Sequence, residues 1–154
     1  MSGTIESRLA ELGVTLPVPA APAANYIPFV VTGKLLYTSG QVNSAAGKIT
    51  APGLLGRDLD VATGKEAAKV CAINVLAVAK AALGDLGRIK RFVKITVFVA
   101  SDSSFTEQHL VANGASDFFV AVLGDKGRHA RSAIGMASLP LNASVEVEAI
   151  IETE

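Results

Sequence analysis

The chain has 154 residues, half of them hydrophobic and 18% charged, with 14 basic and 14 acidic side chains in balance. That length is enough for one domain with a real core. The even charge and the lack of a Lys/Arg run count against a nucleic-acid binder, and the single cysteine leaves neither an internal disulfide nor a thiolate metal cluster.

In chain order, Ile5, Leu9 and Leu12 recur at helical spacing before Gly13, which predicts a short amphipathic helix. Residues 14–28 are rich in Pro and Ala and are expected to run extended over the surface, so that 1–22 form a helix and an extended arm on a single domain spanning 1–154. Phe29–Thr32 and Lys34–Ser39 read as a hairpin about Gly33, and 40–60 as a loop with little regular structure.

Thr63 and Glu66 have capping-box spacing at the head of a long apolar helix that Gly84 can end. Cys71 lies within that helix and reads as an inert core thiol. Phe92–Val99 is a strand, with Phe92 and Phe98 expected on one face and Val93, Ile95, Val97 and Val99 on the other. Ser104 and Glu107 form a second capping-box pattern, and the following helix carries Val111, Ala115, Phe118 and Val122 on one face. Gly114 inside it suggests a close approach. Two last strands are expected near 131–138 and 144–152.

These elements predict an α+β sandwich: two helices on one face of a four- to six-stranded mixed sheet. The other face stays too apolar for water, and the mean hydropathy of +0.43 is high for so few charges, so a homo-oligomer is expected. No signal peptide or membrane-spanning stretch is apparent, which predicts a cytoplasmic protein.

The chemistry concentrates near the C-terminus. Arg131 heads one apolar strand, and Glu146 follows fifteen residues later in the neighbouring one. A guanidinium grips a carboxylate through two parallel hydrogen bonds, and a carboxylate nearby can handle a water. The bland alternatives are a surface arginine and an outward glutamate of an alternating strand shared with Glu148 and Glu152. Ser39 and Gly40 offer a hydroxyl and an unobstructed N–H, or simply a strand-end turn. His109 and His129 are the two histidines, too few for a convincing metal site, and no phosphate cradle or nucleophile elbow occurs; neither metal nor cofactor is expected.

Pro28-Phe29, Tyr37-Thr38-Ser39-Gly40-Gln41, Thr96-Val97-Phe98-Val99, Ala130-Arg131-Ser132, Leu139-Pro140 and Val145-Glu146-Val147-Glu148-Ala149 occur in that order. From about Ala23 to Ile151 the chain resembles the RidA/YjgF family, also called the L-PSP endoribonuclease family. The stretches Asn113–Asp117 and Gly127–Arg131 are similar to a less-characterised branch of it.

The resemblance implies a chorismate-mutase-like fold and a homotrimer with inward-facing sheets and sites in the clefts between subunits. It also implies hydrolysis of reactive enamines and imines such as 2-iminopropanoate, products of pyridoxal-phosphate dehydratases, to 2-oxo acids and ammonia. By the same resemblance Arg131 binds the substrate carboxylate and Glu146 handles water or a proton, with Ser39, Gly40, Phe29, Ala133 and Asn113 around the substrate. The chain departs from the family pattern at Ala133 (often cysteine), Phe29 (often tyrosine) and Leu141 (often lysine), and Asn113 is the nearest match to the pocket asparagine. The alternatives are a trimer that binds small carboxylates without chemistry, a ribonuclease, and, by fold analogy alone, an isomerase.

Overall fold

The computed structural model describes residues 4–19, 21–22 and 24–154. Helix α1 (Ile5–Glu11) opens the chain, capped by the Thr4 hydroxyl, which accepts from Ser7 N. Strands β1 (Phe29–Thr32) and β2 (Leu35–Thr38) form the expected hairpin over a two-residue Gly33-Lys34 turn. Among 40–60 three short strands appear where only loop was expected: β3 (Gln41–Val42), β4 (Ser44–Ala45) and β5 (Lys48–Ile49). The last two pair across Ala46-Gly47, with φ of 52° and 78°, the left-handed pair of a tight hairpin turn.

Helix α2 (Val61–Leu83) begins ahead of Thr63. Asp60 is its cap, its carboxylate accepting from Thr63 N at 2.8 Å, so the expected Thr63–Glu66 box does not form. Gly84 ends the helix at φ 77°. Strand β6 (Ile89–Ala100) is central and longer than expected. Helix α3 (Gln108–Leu123) starts after the second expected capping box; Ser104 instead donates to Asp102 at 2.6 Å. Strands β7 (Ala130–Met136) and β8 (Val145–Thr153) complete the fold, joined through a 3-10 turn at Pro140–Asn142.

The main sheet runs β1-β2-β8-β6-β7, with β3 also on β8 and with β6 parallel to β7. Helices α2 and α3 pack on one face, burying Val145, Val147, Ala149 and Ile151 of β8 against Cys71, Ala72, Val75 and Phe119. The face assignment of β6 needs one correction. Its register against β8 shifts between Ile89 and Arg91 and again between Phe92 and Lys94. Each extra residue turns the following side chains over, so Ile89, Phe92 and Ile95, three apart, all point to the helices. Phe92 therefore stacks on Phe119 at 4.4 Å, while Phe98 lies on the opposite face.

That opposite face is covered at one end only. Ala100, Leu139 and Ala143 form a small second core there with Val42, Ile49, Leu54, Phe98 and Met136. Elsewhere it presents Val30, Tyr37 and Ile134, each 40–50% exposed, beside Glu146 and Glu148. No helix among the described residues is long and apolar enough to cross a membrane.

Candidate functional site

The head of β7 lies under helix α3. His109, Asn113, Ser116 and Val120 recur at steps of four, three and four, so they form one stripe of the helix. Arg131 meets that stripe. Its Nη1 donates to Asn113 Oδ1 at 2.8 Å and to Ser116 Oγ at 3.1 Å, and its Nη2 to the His109 carbonyl at 3.2 Å. Three of the five guanidinium N–H groups are thus committed, and those remaining on Nε and Nη2 have no acceptor among the described residues. No described carboxylate forms an ion pair with Arg131. Beside it opens a cavity of about 260 Å³ lined by Ser116, Val120, Arg128, His129 and Arg131. Although the whole chain is neutral, this depression is locally cationic. Arg128 at its rim pairs with Asp125 at 3.2 Å.

Glu146 belongs to a second constellation. Strand β6 separates β8 from β7, so Arg131 and Glu146 are not on adjacent strands as the sequence suggested. Arg131 pairs with Ile95, on the helix side, whereas Glu146 pairs with Phe98, on the other side. Within one protomer the two side chains lie on opposite faces of the sheet.

Around Glu146 the chain passes from β2 to β3 through Ser39 and Gly40, with a one-residue change of register against β8. Gly40 makes room for the carboxylate: a Cβ there would fall 2.8 Å from Glu146 Cδ. The Ser39 hydroxyl donates to the Ile27 carbonyl at 2.7 Å, so it tethers the incoming arm and retains only its lone pairs for a ligand. Burial pushes the Glu146 carboxyl above the ordinary carboxylate range, with the negative charge of Glu148 adding to it.

Phe29 lies on β1, at the sheet edge opposite β7, half-buried against the helix-side core. Ala133 follows Arg131 on the same side of β7 and also packs on that core. The expected residues therefore fall into two groups: Arg131, Asn113 and Ala133 at one edge, and Glu146, Ser39, Gly40 and Phe29 toward the other. One neighbour of the first group, Ser116, had escaped the sequence reading, although its place three residues after Asn113 on the same stripe signals it. His129, two residues before Arg131, reads from the sequence as a structural histidine rather than a site residue. No group of three or more potential metal ligands occurs among the described residues. Cys71 is fully buried, its thiol donating to the Val145 carbonyl at 3.3 Å and pushed well up by desolvation.

A mixed sheet with two helices on one face and an uncovered opposite face defines a chorismate-mutase-like α+β sandwich. Residues 6–152 match the family described as "YjgF/chorismate mutase-like, putative endoribonuclease", and the chain belongs to that YjgF/RidA family. It is 51% identical over 154 residues to the protein TCP17 of Trypanosoma cruzi, covering 98% of this chain and 95% of that one. It is 58% identical, with a TM-score of 0.92, to the crystal structure of an Agrobacterium tumefaciens protein of unknown function, covering 97% of this chain and 92% of that one. A 2-iminobutanoate/2-iminopropanoate deaminase of Dermatophagoides farinae is 27% identical over 143 residues, 92% of this chain and 95% of that protein.

Proposed function

We propose that the protein hydrolyses small 2-imino acids to 2-oxo acids and ammonia in the cytoplasm, at a cleft completed by a second copy of the chain. The observation that carries this reading is Arg131: splinted by Asn113, Ser116 and the His109 carbonyl, it lines a cavity and has two N–H groups with no acceptor among the described residues, enough for one carboxylate. The similarity to an imine deaminase supports the reaction class.

The division of the site supports the assembly. Arg131 sits at the β7 edge and Glu146 on the far face, so one protomer cannot offer both to one small substrate. A closed ring of copies brings the β7 edge of one against the uncovered face of the next, and a homotrimer is the ring we propose.

In that cleft the guanidinium holds the carboxylate and fixes the imine carbon. A water adds to the C=N carbon as Glu146 accepts its proton. The proton then passes to nitrogen, the carbinolamine collapses, and ammonia leaves a 2-oxo acid. A carboxyl whose affinity for protons is raised by burial is suited to both transfers. No metal or cofactor enters these steps.

The test follows decay of 2-iminopropanoate made in situ by an amino-acid oxidase, with semicarbazide trapping what remains. Wild type is expected to accelerate decay and folded Arg131→Ala to lose that acceleration. Full activity in Arg131→Ala would remove the anchor. No acceleration by wild type across several imino acids, with 2-oxo acids still bound, would make the protein a non-catalytic carboxylate binder.

A further inference from the structure

His129 takes no part in the steps above, yet its surroundings leave little freedom. The ring is half-buried, with the Phe119 ring edge-on at 6.1 Å and 86°. Its Nδ1 lies in hydrogen-bond contact with the Gly127 carbonyl. A carbonyl can only accept, so Nδ1 carries a proton, and in the neutral imidazole Nε2 is then the bare acceptor. Nε2 lies 2.9 Å from Ser116 Oγ, which must therefore point its single proton at the histidine. The serine lone pairs are then turned to Arg131, whose Nη1 donates to Oγ at 3.1 Å. With the ring neutral, every hydrogen bond from Arg131 through Ser116 and His129 to Gly127 has its direction set.

We infer that His129, in its neutral form and acting through Ser116, is a positioning residue that holds the Arg131 guanidinium ready for a carboxylate, and that protonating His129 releases this hold. The inference rests on the reading of Arg131 as the carboxylate anchor. An imidazolium would aim an Nε2–H at Ser116. The hydroxyl would then receive donors from both sides, its own proton would need another acceptor, and two cations would share one oxygen.

The charges around the ring do not favour that state. Arg131 faces it, and Arg128 is its chain neighbour. Asp125 is engaged with Arg128, Lys94 lies across from Ala130 on β6, and Asp117 lines a different groove with Lys65 and Lys69. No described carboxylate forms an ion pair with His129. Burial foremost, and Arg131 after it, hold the imidazole below its ordinary range, with the Gly127 carbonyl pulling the other way. The arrangement should thus persist at neutral pH and fail only on acidification past the ordinary histidine value of about 6.5.

Pyruvate, a stable 2-oxo acid, is the probe. Its Kd is measured calorimetrically from pH 5 to 8 on the full chain, with KM and kcat for 2-iminopropanoate measured in parallel. His129→Leu is expected to weaken pyruvate binding and raise KM about tenfold, with a smaller change in kcat. Ser116→Ala should do the same, and the double variant should lose no more than either single one. His129→Gln places a non-titrating oxygen where Nε2 was. It should restore binding at pH 7.5 and retain it at pH 5, where wild type weakens.

Wild-type affinity and pH profile in His129→Leu, or additive losses in the double variant, would overturn the relay. If His129→Leu does not fold, a His129→Gln profile that still falls with wild type toward pH 5 overturns it. Unchanged pyruvate affinity in Arg131→Ala would instead overturn the anchor reading. Loss of binding in Arg131→Ala with none in His129→Leu would spare the anchor and remove only the relay.

Discussion

Gly114 sits inside α3, where glycine costs about 1 kcal/mol relative to alanine. On propensity alone Gly114→Ala should stabilise the protein. The packing of α2 against α3 reverses that sign. A Cβ on Gly114 would fall 2.0 Å from the Lys65 carbonyl oxygen and 2.7 Å from its carbon, both backbone atoms that no rotamer change can move. Restoring a tolerable contact requires the two helices to part by about 1 Å in a close-packed interior. Overpacking of this kind costs about 1–3 kcal/mol, and a clash with backbone belongs at or beyond the upper end. Set against the gain in propensity, the net loss is about 2 kcal/mol, or a Tm lower by about 4–8 °C for a domain of this size. Urea and calorimetric unfolding of Gly114→Ala measure it. The variant should also raise KM, because Asn113, the neighbouring residue, holds Arg131. An unchanged or higher Tm would refute the packing argument.

Glu146→Gln separates stability from activity. Burial raises the Glu146 carboxyl, so the folded state binds its proton more tightly than the unfolded one. The stability this group contributes is present at low pH and is lost as pH rises through its folded value. Removing the charge should therefore raise Tm at pH 8, leave it unchanged below pH 4 and abolish imine turnover; a lower Tm at pH 8 would show that the charged form has a partner. The proposed assembly predicts a sedimenting species of three times the 15.8 kDa chain mass. Ile134→Glu, on the uncovered face and 43% exposed, should dissociate it with loss of turnover, whereas active monomers would contradict a shared cleft.

The architecture was legible because it rests on periodicity. The alternation of β8, the face Val111–Ala115–Phe118–Val122 of α3 and the Gly33 hairpin are local patterns, and each holds. What failed depended on competition or on distance. Asp60 lies ahead of Thr63, and its carboxylate takes the very N–H group of Thr63 that a helix begun two residues earlier, at Val61, leaves unpaired. The two bulges in β6 leave no mark on the sequence, because Lys90 and Val93 are ordinary strand residues, yet together they decide on which face Phe92 lies.

The site shows the same division. Arg131 and Glu146 were identifiable by type and by resemblance, but the fourteen intervening residues, which include a turn, carry no information about facing, and the strand between β7 and β8 comes from earlier in the chain. The stripe His109–Asn113–Ser116–Val120 could be drawn from helical spacing, but only the parallel pairing of β6 with β7 places the head of β7 beneath it. Net charge conceals the same fact: an evenly balanced chain still leaves Arg131 without a described carboxylate partner at one cavity, while Glu146 and Glu148 lie on the opposite face of the sheet. The two halves carry opposite charge, which suits a head-to-tail ring in which each copy supplies the half its neighbour lacks.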